Sequence, residues 1–298
     1  MRAYLAEFLS DPRVVKLPRW LWLPILHGIV LRTRPARSAE KYKQIWTAEG
    51  SPLAVHTIRQ AQLLAEKTGL PVRYAMRYGQ PGIRTSLLGL EDPLVIPLYP
   101  QHAQSTTASV ADLLPPGTPM IEDFHDDPGY IGALAAGVRR HWREHGRGAL
   151  LVMSFHGLPK SVGWAYETQC RATARLLAER LELGPSEWRV TFQSRFGFAE
   201  WLEPYTEPTL VELARAGQRR VDVVCPGFVS DCLETLEEVG IAARRAFLAA
   251  GGREFYPVSC LNESPDWIEA LAGLGRGMGY ARARASSSDS EGTGRLNR

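Results

Sequence analysis

The chain has 298 residues, 45% of them hydrophobic and 22% charged, with a formal net charge of +3. Those values describe a globular chain with room for two domains and exclude a collagen-like, coiled-coil or wholly disordered protein. The charge is too mild, and the arginines too scattered, for a nucleic-acid-binding surface.

The stretch from Leu17 to Leu31 is apolar on all sides but broken by Pro18, Arg19 and Pro24. It is too short for a membrane span of ~20 apolar residues. It reads as core or as an interfacial patch, with Trp20 and Trp22 beside Arg19, Arg32 and Arg34. A helix is predicted over Thr57–Thr68, and strands over Val72–Met76 and Leu94–Leu98. Pro115-Pro116-Gly117-Thr118-Pro119 then breaks the chain and suits a crossing between halves. Beyond it, strands are predicted over Ala149–Met153, Arg189–Phe192 and Val221–Cys225, with helices over Thr168–Leu181, Pro208–Ala216 and Asp231–Ala250. Lys160–Gln169 reads as a loop. This alternation predicts an α/β protein of two similar Rossmann-like halves, each a parallel sheet flanked by helices. The halves are residues 1–117 and 118–274. A tail of Gly, Ser and Arg, residues 275–298, reads as disordered.

Chemistry collects at strand ends, where open α/β sheets bind ligands. His156 follows a buried strand in Ser154-Phe155-His156-Gly157-Leu158-Pro159. Glu234 and Glu238 lie four apart after the capping pair Ser230-Asp231, so they share one face near a helix start, where the dipole favours anions. An imidazole and two carboxylates there make a proton-handling or metal-handling site. Arg77 and Tyr78 leave one predicted strand, Tyr99 and Gln101 a second, and Gln193, Ser194 and Arg195 a third. Arg195 has the geometry to pair with a carboxylate. Glu237 reads as solvated, as do His141 and His145, four apart on a charged helix. The four cysteines, Cys170, Cys225, Cys232 and Cys260, form no C-x-x-C pair and read as free thiols of a reducing cytoplasm.

Four stretches give the chain a resemblance to the ferrochelatases. They are the Ser154–Pro159 run, Thr191-Phe192-Gln193-Ser194-Arg195-Phe196-Gly197, Trp201-Leu202-Glu203-Pro204-Tyr205-Thr206, and Cys225-Pro226-Gly227-Phe228 with the helix after it. The similarity extends to about Leu274 and is greatest to the proteobacterial branch. It implies a lyase that inserts Fe²⁺ into protoporphyrin IX, the last step of haem biosynthesis. It implies His156 and Glu234 as catalytic and metal-binding residues, with Asp231 and Glu238 on a proton or metal path. Arg77, Tyr78, Tyr99, Gln193, Ser194, Arg195 and Trp201 would bind the porphyrin. Iron is then substrate, with no tightly bound cofactor; an iron–sulfur cluster is not expected, since no cysteine follows Cys260. The location implied is cytoplasmic, with peripheral contact at the inner membrane surface.

The chain also departs from that pattern. The family's first strand and its L-x-N-x-G-x-P loop have no counterpart before Met1, so the first half is expected to lack a central strand and the chain to fold and act poorly. Gly79–Pro93 and Lys160–Gln169 look short, and Ala242 stands where the family's acidic ladder would continue. The rivals are a catalytically impaired porphyrin-binding protein and a chelatase for another metal or tetrapyrrole.

Overall fold

The structure is a computed structural model that describes residues 1–195 and 199–280. Phe196 and Gly197 of the second motif, and the tail from residue 281, lie outside the described residues.

Four short strands make one sheet: β1 (Leu151–His156), β2 (Trp188–Gln193), β3 (Arg220–Val224) and β4 (Glu254–Pro257). All pairings are parallel, in the order β2-β1-β3-β4. β1 is central because both of its faces are apolar or satisfied. Leu151, Met153 and Phe155 enter one core with Leu177 and Trp267; Leu150 and Val152 enter a second with Leu210, Val223 and Phe247. Helices α7 (Pro128–His145) and α8 (Lys160–Arg180) cover the first face, and α9 (Thr206–Arg215) with α10 (Arg244–Ala249) the second. β4 escapes sequence detection because it is four residues with an alternating exposed-buried pattern.

The first half is built from helices: α1 (Arg2–Ser10), α2 (Arg19–Ile25), a π-turn (Leu26–Val30), α3 (Leu31–Ile45), α4 (Pro52–Thr68), and the short α5 (Ile83–Leu87) and α6 (Thr107–Ala111). The expected parallel sheet of this half does not form among the described residues. The segment at 72–76 makes a single bridge, Met76 to Gly82, and that at 94–98 pairs only through Val95 with Met120. A strand needs a neighbour to satisfy its backbone groups, and no described strand lies against both segments. Leu5, Leu9, Trp22, Leu26 and Leu31 form a small core of their own. Helix α4 is held to the second half through Gln60, whose amide donates to Ser230 Oγ (2.8 Å) and accepts from Trp267 Nε1 (3.1 Å). Trp267 belongs to α11 (Pro265–Gly277).

Several predicted boundaries move. Lys160–Gln169 is not a loop: α8 begins at Lys160, because no glycine-rich or charged break separates Pro159 from its apolar face. The helix predicted over Asp231–Ala250 is a π-helix from Glu234 to Ala243 that continues into α10. Residues 275–277, assigned to the tail, complete α11. Glu237 is buried and paired with Lys41 of α3 at 2.7 Å rather than solvated. His141 is also buried.

At the N-terminal ends of the strands, Asp222 is 1% exposed and accepts from Trp142 Nε1 (2.8 Å) and Gly148 N (2.9 Å) while pairing with Arg220. Removing the carboxylate leaves the Trp142 and Gly148 donors without their acceptor and takes from Arg220 one of its two carboxylate partners. Asp222→Ala should therefore cost about 3 kcal/mol, read as a lower denaturant midpoint at unchanged slope. A loss below about 1 kcal/mol would mean that water replaces the carboxylate.

Candidate active site

The carboxyl ends of β1 and β2 carry His156 and Gln193 in register. His156 is the last residue of β1 rather than the first after it. Its Nδ1 lies 2.7 Å from the carbonyl oxygen of Gly157. A carbonyl only accepts, so Nδ1 carries the hydrogen and the neutral ring leaves Nε2 with its lone pair free. Gly157 is needed because a Cβ there would come within 2.8 Å of the Gln193 carbonyl and 3.3 Å of the Trp201 ring. The same carbonyl accepts Gly157 N at 2.7 Å, which closes the turn.

Behind the imidazole runs a buried polar chain. Ser154 Oγ donates to Gln193 Oε1 (2.5 Å) and lies 2.7 Å from Thr206 Oγ1, which is 2.9 Å from Thr191 Oγ1. Gln193 Nε2 donates to the Glu234 backbone carbonyl at 3.0 Å. The first turn of the π-helix is thereby fastened to the strand end that carries the site.

Glu238 accepts from Ser194 N (2.7 Å) and Ser194 Oγ (2.5 Å). Ser194 reaches this position with φ of +66°, a conformation uncommon outside glycine. Burial pushes the Glu238 carboxyl above its ordinary value of 4.5; the Ser194 bonds and the neighbouring His156 pull it back, and Glu234 pushes it up again. Burial, helped by the Glu234 carboxylate, raises the Tyr42 hydroxyl to about 12. Burial likewise drives Tyr4 and Tyr99 up, with Glu234 adding to both. These hydroxyls stay protonated.

His156, Glu234, Glu238, Ser194, Arg195, Trp201, Tyr99, Arg77 and Tyr78 all line one cavity of about 2370 Å³. That exceeds the ~300–1,000 Å³ of an ordinary ligand site, because the cavity continues between the extended segments at 72–76 and 94–98. Two predicted residues do not line it. Gln193 is 5% exposed and spends its amide on Ser154 and Glu234. Asp231 does not cap the helix as its sequence position suggests, the N-cap being Leu233; its carboxylate instead accepts from the side chains of Thr235 Oγ1 (2.8 Å) and Asn262 Nδ2 (2.7 Å). Arg77 and Tyr78 reach the cavity wall with their polar ends already engaged by Asp11 of the α1–α2 connection.

Sequence reasoning missed Tyr4, Arg34 and Tyr42, which line the cavity from α1 and α3. The strand-end rule finds residues that strands deliver, and helices deliver these. Trp22 is buried, with its Nε1 donating to Leu9 O at 2.7 Å, so it leaves the expected interfacial patch. The cysteines, scattered in sequence, are all buried and free; burial first, then Asp231, Cys225 and Cys232, push the Cys260 thiol up. Among the described residues, one group of three potential ligands clusters within 4.8 Å: Asp123, His125 and Asp126. There Asp123 is already bonded to His125 (2.7 Å) and Gln169 (3.2 Å).

A parallel α/β sheet that brings an imidazole and two carboxylates to the wall of a large cavity makes a site that can handle protons or a metal ion. The fold agrees with that of a solved structure described as SirB from Bacillus subtilis with Fe³⁺, at 15% identity and a TM-score of 0.52, covering 82% of this chain and 94% of that one. The ferrochelatase family model matches residues 1–277. The ferrochelatase of Azoarcus sp. (strain BH72) is 56% identical over 292 residues, covering 91% of this chain and 80% of that protein. That of Polaromonas sp. (strain JS666 / ATCC BAA-500) is 55% identical with the same coverage. The chain belongs to the ferrochelatase family.

A carboxyl whose folded pKa is raised holds its proton more tightly in the folded state. The stability it contributes is complete below its ordinary value and falls as pH rises through the raised one. Glu238→Gln is fixed neutral, so its melting temperature should gain on the parent's as pH climbs from about 4.5 towards neutrality. Melting curves across pH 4–8 that run parallel would show that Glu238 is not desolvated.

Proposed function

We propose that this chain inserts Fe²⁺ into protoporphyrin IX, with His156 as the base that removes pyrrole protons. The observation that carries this reading is the shared cavity wall of His156 Nε2, Glu234 and Glu238. Insertion exchanges two pyrrole N–H protons for one Fe²⁺, so two protons must leave as the metal enters. His156 takes a proton at Nε2 while the Gly157 carbonyl holds the other nitrogen. Its neighbour Glu238, held partly towards its neutral form by burial, accepts and passes protons readily. Glu234 offers carboxylate oxygens, which with imidazole suit Fe²⁺ better than thiolate would. Trp201 and Tyr99 supply apolar wall for the macrocycle, and Arg34, Arg37 and Arg195, also on that wall, supply positive charge for its carboxylates.

The same reading makes iron a substrate and leaves the protein without an iron–sulfur cluster. Burial holds the four thiols above their ordinary ionisation range, away from the thiolate form that clusters require. We place the protein in the cytoplasm, at the membrane surface. No described helix is long and apolar enough to cross a bilayer. Trp20, 79% exposed, stands with Leu17, Leu21 and Ile29 on the outside, beside Arg19 and Arg32.

His156→Ala should lower zinc or iron insertion by ~10²–10⁴-fold while porphyrin binding persists. Porphyrin fluorescence reads both, and activity above a tenth of the parent's would remove His156 from the proton step. A second measurement addresses the surface. The double variant Trp20→Ser with Ile29→Ser should lose most of its co-sedimentation with anionic phospholipid vesicles and keep its melting temperature. Equal sedimentation would move the membrane contact elsewhere.

A further inference from the structure

Helix α7 ends in His141-Trp142-Arg143-Glu144-His145, at the N-terminal ends of the strands and outside the cavity. His141 is 8% exposed, and its Nε2 has no hydrogen-bond partner among the described residues. Buried polar atoms are almost always paired, and one that is not calls for an unseen partner. His145 follows one turn later on the same face. The two rings meet at 4.6 Å between centroids with 62° between planes. Both also contact Tyr256 of β4, His145 stacked on it at 5.3 Å and His141 at 6.0 Å.

We propose that His141 and His145 chelate a divalent transition-metal ion of the Zn²⁺, Ni²⁺ or Cu²⁺ class, at a site separate from the porphyrin cavity. Imidazoles at i and i+4 of a helix are a recurrent metal-binding pair. Arg220 does not repel an ion unopposed, because it is shared between Asp222 and Glu254. The pattern differs from the helical zinc-protease motif, whose glutamate directly follows the first histidine. Here Glu144 precedes the second, so no water-activating base is placed and the site binds without catalysing. Its neighbour Trp142 donates to Asp222 of β3, so the pair stands where α7 is already fastened to the sheet.

The test separates this site from the substrate metal. The full chain carrying His156→Ala is titrated with Zn²⁺ by calorimetry, and its melting is followed with and without zinc. One zinc per chain and a raised melting temperature are expected. Adding His145→Ala, an exposed change that leaves folding intact, should weaken binding by about tenfold or more and abolish the thermal gain. His145→Cys, which restores a zinc ligand, should recover both. If His156→Ala does not fold, the same comparison is made between the parent and His145→Ala. Zinc binding untouched by His145→Ala, or none up to about 100 μM, would overturn the proposal.

Discussion

The carboxamide of Gln193 is the point on which the geometry of the site depends. Its oxygen accepts from Ser154 on β1, and its nitrogen donates to the carbonyl of Glu234 at the start of the π-helix. One planar group therefore fixes three elements at once: the strand that presents His156, the strand that leads to Ser194, and the helix that carries both glutamates. Buried in a low-dielectric layer, these bonds are strong and costly to break. The distance between the imidazole and the carboxylates is thus set by a residue that does not itself line the cavity.

Around this point the site is supplied unequally by the two halves. The second half delivers the imidazole and carboxylates on a rigid parallel sheet, and the first delivers tyrosines and arginines on helices. Tyr4 and Tyr42 come from α1 and α3 and Tyr99 follows the extended segment at 94–98, and burial keeps all three hydroxyls protonated. Glu238, bonded to Ser194, is pushed towards its neutral form by burial.

The second sheet edge shows how much polar work a small α/β layer does outside its cavity. Asp222, fully buried, gathers Trp142, Gly148 and Arg220, and beside it the α7 histidines pack on Tyr256. Chemistry at this end serves to hold the last turn of α7, whereas at the opposite end the same strands expose reactive groups. The sheet is polarised along its strands, as open α/β sheets generally are.

The strands of the second half and the position of His156 were legible in the sequence. Continuous apolar runs such as Leu150–Met153 have one stable solution, a strand buried on both faces, and the residue ending such a run lies at the ligand edge. Glu234 and Glu238 were legible as a pair for the same local reason, their spacing. Other features depended on contacts between distant residues. Glu237 and His141 look solvated in sequence and are buried because α3 and β4 cover them. Nothing in Glu-Thr-Leu-Glu-Glu-Val-Gly-Ile-Ala-Ala distinguishes i→i+4 from i→i+5 bonding, and its tertiary surroundings decide for the π-helix. The extended segments at 72–76 and 94–98 have the apolar pattern of strands but form no ladder, since a strand exists only when a partner lies beside it. Local periodicity and residue chemistry determined the parallel sheet and the imidazole at its edge; burial, pairing and the polar contacts behind the imidazole were decided only when the chain was folded, because those are properties of neighbours that the sequence keeps far apart.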